Sequence, residues 1–126
     1  MENKAVVTDR APEALGPYSQ GIVAGNMVFT AGEIPVDPKT GAVPETVAEQ
    51  ADLALRNLIA VVEGAGATVR DIVSVTVYLS DIQDFAEVNR VYAEHFVEPY
   101  PARSCIAAAA LPKGVRIMVS AIAVKN

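Results

Sequence analysis

The sequence predicts an α+β fold with the element order βββαβαββ, and three observations lead to it. Two segments repeat apolar residues with a helical period, each directly after a capping pattern. Short runs rich in β-branched residues precede, separate and follow these two segments. The last run, residues 115–124, is apolar on both of its faces. We therefore expect a six-stranded mixed sheet with two helices on one face and other copies of the chain on the second face.

Three strands are predicted before the first helix. Residues 5–8 form a short first strand, and residues 11–21, which hold two prolines and two glycines, form a loop. Residues 21–34 form a hairpin around Gly25-Asn26, a dipeptide that can supply positive φ at a turn. Residues 35–45 form a second, longer loop.

The first helix begins at a T-x-x-E capping box and is followed by a strand. Thr46 and Glu49 form the box, and Gly64 and Gly66 end the helix. Residues 71–80 then alternate apolar and polar positions in the manner of a strand.

The second helix begins at a D-x-x-E box made by Asp84 and Glu87, and Pro99 and Pro101 stop it. Its apolar stripe runs from Phe85 to Phe96. Residues 102–110 and 115–124 supply the last two strands.

Composition narrows the class of protein. The length of 126 residues predicts one domain, residues 1–126, and the 52% apolar content favours self-association. Cys105 is the only cysteine, which suits a reducing cytoplasm, and no apolar stretch is long enough for a signal peptide or a membrane span. The net charge is −5 and the ten Lys and Arg residues are scattered, so nucleic-acid binding is disfavoured.

Arg103 is the residue that most needs a partner. It stands in "YPARSC", at the start of a strand that continues into apolar residues, and the nearest acidic residue in the sequence is Glu98. A guanidinium is rarely buried unpaired. Its partner is therefore distant in the chain, on another chain, or an anion that the protein binds.

Four segments resemble the RidA/YjgF family of reactive intermediate deaminases, which is also known as endoribonuclease L-PSP. They are "GPYSQG", "GEIPVDPKTG", "FAEVNRVY" and "PARSC…LPKG…AIAV", in the family's order from end to end. The resemblance implies a chorismate-mutase-like fold and a homotrimer whose sheets face a central barrel, with sites in clefts between subunits. It also implies hydrolysis of 2-iminobutanoate and 2-iminopropanoate to 2-oxo acids and ammonia, with no metal or organic cofactor.

The resemblance also assigns roles to individual residues, each with a structural alternative. Arg103 matches the arginine that clamps the substrate carboxylate, and its alternative is a structural salt bridge. Cys105 would donate its backbone N–H to the same carboxylate, whereas its thiol is more typical of a small buried hydrophobe. Tyr18 would close the cleft or serve as a packing plug. Gly32 and Asn89 would lie near the ligand, or be a strand-end glycine and a surface helical asparagine.

Three positions depart from the family pattern. Met118 stands where the family usually has a glutamate that positions or activates water, and a thioether cannot accept a proton. Ala31 replaces a common serine, and Glu33 replaces a common glutamine. Glu33 is the candidate for handling water in place of the missing acid.

Two other functions compete with slow imine hydrolysis. A non-catalytic 2-oxo acid sensor would use the same cleft, and Met118 favours it. An endoribonuclease or translation inhibitor is disfavoured by the acidic charge. The sole histidine, His95, is predicted to lie on the helix surface, since no second metal ligand is spaced to join it.

Overall fold

The computed structural model describes residues 2–126 and contains the predicted elements in the predicted order. The helices and strands are β1 Lys4–Val6, β2 Gly21–Ala24, β3 Met27–Thr30, α1 Val47–Gly64, β4 Ile72–Leu79, α2 Phe85–Ala93, β5 Ala102–Ala107 and β6 Ile117–Val124. The α+β class is therefore confirmed. The predicted range of β1, residues 5–8, was displaced, because the strand is Lys4–Val6. The predicted range of β5, residues 102–110, was too long, because the strand ends at Ala107.

The six strands form one mixed sheet with the order β1-β2-β3-β6-β4-β5. Strands β4 and β5 are parallel, and every other pair is antiparallel. β6 lies between β3 and β4, whereas β5 is an edge strand. The chain reaches β5 through α2, which is the crossover that a parallel pair requires.

The helices cover one face of the sheet. On β6 the buried residues alternate with partly buried ones, and Ile117, Val119 and Ala123 are fully buried in the core beneath α1. Met118 and Ile122, on the other face, are only partly buried. Phe29 and Ile106 also lie on that face, 38% and 50% exposed. The second apolar face of the last strand is therefore not covered within one chain, and we call it the open face.

The predicted cap of α1 is formed. Thr46 Oγ1 accepts from the Glu49 backbone N–H at 3.2 Å, and the same hydroxyl donates to Glu49 Oε1 at 2.9 Å. Gly66, with φ 88°, follows the last turn, as a glycine after a helix end commonly does. In the β2–β3 turn, only Gly25 has a positive φ, 63°.

Helix α2 begins directly after Asp84, as predicted, but the predicted side-chain cap at Asp84 is wrong. The Asp84 side chain makes no capping hydrogen bond, because its carboxylate accepts two hydrogen bonds from the Arg116 guanidinium, at 2.8 and 3.2 Å. Asp81 instead accepts from the Gln83 N–H and begins a 3₁₀ turn before the helix. The ion pair ties the start of α2 to the start of β6.

Three buried amide side chains hold the loops. Gln20 is bonded to Thr8 and to the carbonyls of Ala11 and Pro12. Asn57 donates to two carbonyls of the loop after β3, and Gln50 joins Pro44 O to the Arg116 N–H. These bonds supply the partners that buried loop backbone needs.

Candidate functional site

Arg103 lies on the edge strand β5 and reaches α2. It pairs with Val75, which places its side chain on the helix-covered side of the sheet. Its Nη1 donates to Asn89 Oδ1 at 2.8 Å, and the guanidinium carbon lies 4.6 Å from the centre of the Tyr92 ring and 5.4 Å from that of Phe85. Within residues 2–126 the guanidinium has no carboxylate partner. We call Arg103, Phe85, Asn89 and Tyr92 the Arg103 cluster.

Cys105 lies beside the Arg103 cluster on the same side of the sheet. It pairs with Val77 and packs against the main core. Burial raises the pKa of its thiol, and the nearby Arg103 charge only partly opposes that effect. The thiol is therefore protonated at neutral pH, which favours a packing role for the side chain over a nucleophilic one.

Tyr18 lies in a different place, on the wall of a cavity of about 720 Å³. The cavity lies between the loop that precedes β2 and the loop that follows β3, and we call it the Tyr18 cavity. Tyr18 is 56% exposed. The walls that bear on function are Tyr18, Ala31, Gly32, Glu33, Lys113 and Met118.

Gly32 is needed for close packing in this cavity. A Cβ atom at position 32 would lie 2.7 Å from Met118 Sδ, closer than real side chains approach. The glycine thus lets Met118 occupy the space beside the backbone. A larger residue here would push the thioether away.

Glu33 and Met118 point to opposite sides of the sheet. Glu33 forms an antiparallel bridge with Val119, so its side chain shares the helix-covered side with that buried residue. It is 5% exposed, and burial raises the pKa of its carboxyl from 4.5 to about 8. The carboxyl is therefore mostly protonated at neutral pH. Its role in handling water stays a prediction.

The Arg103 cluster and the Tyr18 cavity are separate on one chain. Glu33, Val119, Val77 and Cys105 form one row across four adjacent strand segments. Three strand spacings of roughly 4.8 Å place the two ends about 14 Å apart. The side chains of Val119 and Val77, both in the core, fill the space between the two ends of this row.

His95 is not the surface helical residue that was predicted. It follows the end of α2, its side chain is only 15% exposed, and its Nε2 lies 2.8 Å from Asp52 Oδ1. Burial opposes ionisation of Asp52, but hydrogen bonds from Arg56 and His95 lower the pKa of that carboxyl overall. The pair connects α1 to the end of α2. Among residues 2–126, no group of three or more potential ligands is arranged to hold a metal ion.

Phe85 and Tyr92 are the site residues that sequence reasoning assigned only to packing. Their positions do carry a signal, because Phe85, Asn89 and Tyr92 are spaced i, i+4 and i+7 and share one helical face. Arg103 contacts the helix on that face. Without the location of β5, the spacing could not indicate a cation.

Comparisons with known proteins agree with this architecture. Residues 8–125 match the family model described as endoribonuclease L-PSP. The chain is 52% identical, over 98% of its length and 99% of the relative's, to the 2-iminobutanoate/2-iminopropanoate deaminase of Salmonella typhimurium. The chain belongs to the RidA/YjgF family. Among solved structures, the similar RidA of an Antarctic Psychrobacter has a TM-score of 0.93 at 39% identity, covering 96% of this chain and 98% of its own.

A second solved structure in the RidA/YjgF family holds a ligand. It is Escherichia coli TdcF with bound serine, which is 49% identical and has a TM-score of 0.94, covering 98% of this chain and 99% of that one. Among the described residues of the present RidA/YjgF chain, no helix is both long and apolar enough to cross a membrane.

Proposed function

We infer that this RidA/YjgF protein is a deaminase that hydrolyses the short 2-imino acids 2-iminobutanoate and 2-iminopropanoate to 2-oxo acids and ammonia. Full-length relatives at 52% identity carry that name. The observation in this chain that carries the inference is Arg103, a guanidinium held on α2 by an amide and two rings without a carboxylate partner. Such a group suits the carboxylate that every 2-imino acid has.

The reaction requires a water molecule, an imine carbon (C2) held in place, and two proton transfers. The water oxygen adds to C2 of the C=N bond, and a water proton passes to nitrogen. The resulting carbinolamine loses ammonia as its hydroxyl proton passes to the amino nitrogen, the C2–N bond breaks and the C2=O bond forms. We propose that Arg103 and the Cys105 N–H hold the carboxylate, and that Tyr18, Gly32 and Asn89 shape the space around C2. Orientation alone supplies a large share of catalysis for so reactive a substrate.

We further propose that the working form is a homotrimer and that it is cytoplasmic. The open face presents Phe29 and Ile106 to solvent in one chain, and a second copy would bury them. The Arg103 cluster and the Tyr18 cavity are separated within a chain, so a subunit seam is needed to bring one copy's cluster to the other copy's cavity. The lone cysteine suits a reducing compartment.

The second candidate function is a 2-oxo acid binder without turnover. Met118 favours it, because the thioether beside Gly32 can neither accept nor donate a proton. The carboxylate-binding group is the same in both functions. They differ only in whether bound water is activated.

A coupled assay tests the deaminase. Threonine dehydratase generates 2-iminobutanoate in the presence of semicarbazide, which traps the imine, and active protein lowers the yield of trapped product. Arg103→Ala should lower the affinity for 2-oxobutanoate by about 10- to 150-fold, the loss expected for a charged hydrogen-bond partner worth roughly 1.5–3 kcal/mol. Wild-type affinity in this variant would refute the carboxylate clamp.

Met118→Glu distinguishes the two functions. If absent water activation limits the reaction, the added carboxylate should raise kcat by about 10²-fold or more with little change in 2-oxobutanoate affinity. Met118→Gln is the control, since it adds polarity of similar size but no comparable base. A wild-type protein that binds 2-oxobutanoate and turns over no imine would establish the binder.

A further inference from the structure

Helix α2 presents one face to the edge strand β5, and three of its residues meet Arg103 there. Phe85, Asn89 and Tyr92 are spaced i, i+4 and i+7, and therefore lie along one side of the helix. The Asn89 carboxamide oxygen accepts from Arg103 Nη1 at 2.8 Å. The oxygen rather than the amide nitrogen faces the guanidinium, as an arginine without acceptors demands.

The two aromatic rings give the guanidinium a platform. Its central carbon lies 4.6 Å from the Tyr92 ring centre and 5.4 Å from that of Phe85, within the range of cation–π attraction. Tyr92 is itself fixed, because its ring stacks on Phe96 with centres 4.5 Å apart and is buried in the core. Phe85 is the more exposed of the two rings. The platform is thus anchored at one end and open to solvent at the other.

These contacts leave most of the guanidinium's hydrogen-bonding capacity free. A guanidinium has five N–H donors in one plane, and Asn89 is the only hydrogen-bond acceptor for them within residues 2–126. A long arginine side chain on an edge strand would otherwise sample many rotamers. Ordering it only when a ligand arrives would weaken binding.

We propose that Phe85, Asn89 and Tyr92 are positioning residues that fix the Arg103 guanidinium before the carboxylate binds. All three act on the carboxylate through Arg103, and Asn89 does so in addition to its proposed place near C2. This inference rests on the proposed role of Arg103 as the carboxylate clamp. It predicts that the platform acts on carboxylate binding, and so on KM, more than on the rate of the bound substrate.

Phe85 is the residue to change, because its partial exposure makes a loss of folding less of a concern than at buried Tyr92. Phe85→Leu removes the ring and keeps an apolar side chain, whereas Phe85→Tyr keeps the ring. Ile82→Ala, an exposed apolar position in the turn before α2, is the matched control. Titration calorimetry with 2-oxobutanoate should show affinity lowered roughly 2- to 30-fold in Phe85→Leu, the range of cation–π energies. Phe85→Tyr and Ile82→Ala should bind as the wild type does.

A second measurement reports the positioning itself. ¹⁵N relaxation of the Arg103 Nε–H group without ligand should show a rigid side chain in the wild type and in Phe85→Tyr, and a mobile one in Phe85→Leu. Unchanged affinity in Phe85→Leu would overturn the proposal, and so would unchanged rigidity of Arg103 in that variant. Arg103→Ala in the same titration separates the two levels. If it too binds as the wild type does, the clamp itself fails, and if only Phe85→Leu is neutral, the platform alone fails.

Discussion

Single residues decide the chemistry that this chain can offer. Arg103 and Met118 illustrate two opposite situations. The arginine keeps its charge and most of its donors available, because its close neighbours are an amide and two rings rather than an acid. The methionine occupies a wall of the Tyr18 cavity without any proton-transfer capacity. The chain therefore offers a guanidinium suited to the proposed carboxylate binding, and Met118 offers no group that could activate water.

Protonation of Glu33 should make the free energy of unfolding depend on pH. Its carboxyl has a pKa of about 8 in the folded chain because of burial, against an ordinary value of 4.5. Between these pH values the folded state binds more protons than the unfolded state, so the free energy of unfolding falls as pH rises. Glu33→Gln should remove that slope and gain a few kcal/mol over the wild type at pH 8.

Urea unfolding of the wild type and Glu33→Gln from pH 4.5 to pH 8.5 measures this effect. Glu13→Gln, at an exposed carboxyl of the same cavity, is the control and should leave the slope unchanged. Parallel slopes in wild type and Glu33→Gln would contradict the shifted pKa. Imine turnover in Glu33→Gln tests its role in handling water, since a positioned acid or base contributes about 10²–10⁴-fold.

At the scale of elements, buried amide side chains hold the loops of the cavity in place. The loop before β2 carries Tyr18, and Gln20 fixes its start. The Gln20 side chain accepts from the Thr8 N–H at 2.8 Å and donates to the Thr8, Ala11 and Pro12 carbonyls. One buried side chain thus satisfies four backbone groups of the loop that bears a proposed site residue.

Gln20→Leu should lower the free energy of unfolding by about 1–3 kcal/mol, because it leaves these backbone groups unpaired at similar side-chain volume. Amide hydrogen exchange in residues 8–18 should also be faster in this variant than in the wild type, whereas exchange in β6 should not change. Gln83→Leu, an exposed glutamine outside this loop, is the control. If Gln20→Leu and Gln83→Leu were equally stable, the loop would not depend on the Gln20 amide.

At the scale of the whole molecule, the open face is the apolar surface that one chain leaves uncovered. Met118, Tyr78 and Ile106 form one row across it, on β6, β4 and β5. Ile106 is half exposed at the sheet edge. A charge at this position would be tolerated in a monomer and would oppose burial in the proposed trimer.

Ile106→Asp should convert the trimer to monomers, as measured by sedimentation equilibrium, and should reduce imine turnover in the same step because the seam is lost. Val97→Asp is the control. It places the same charge at an equally exposed valine in the turn after α2, outside the row on the open face. A monomeric wild type that hydrolyses 2-iminobutanoate at full rate would refute the shared site.

Local sequence patterns determined most of the elements. The Thr46 cap, the alternation in β4 and the doubly apolar β6 depend on neighbours within a few residues, and these predictions are confirmed. The Asp84 cap failed because a distant residue, Arg116, competes for the same carboxylate. His95 was misplaced for the same reason, since Asp52 lies on another helix.

The sequence by itself determined the order of the strands and helices, the apolar character of both faces of β6, and the presence of an arginine without a local acid. Only the tertiary structure decided that Arg103 faces α2, that Glu33 and Met118 point to opposite sides, and that the Tyr18 cavity lies away from the Arg103 cluster. The physical reason is range. Periodicity and capping act over a few residues of the chain, whereas strand pairing sets which side chains share a face and how far apart they lie.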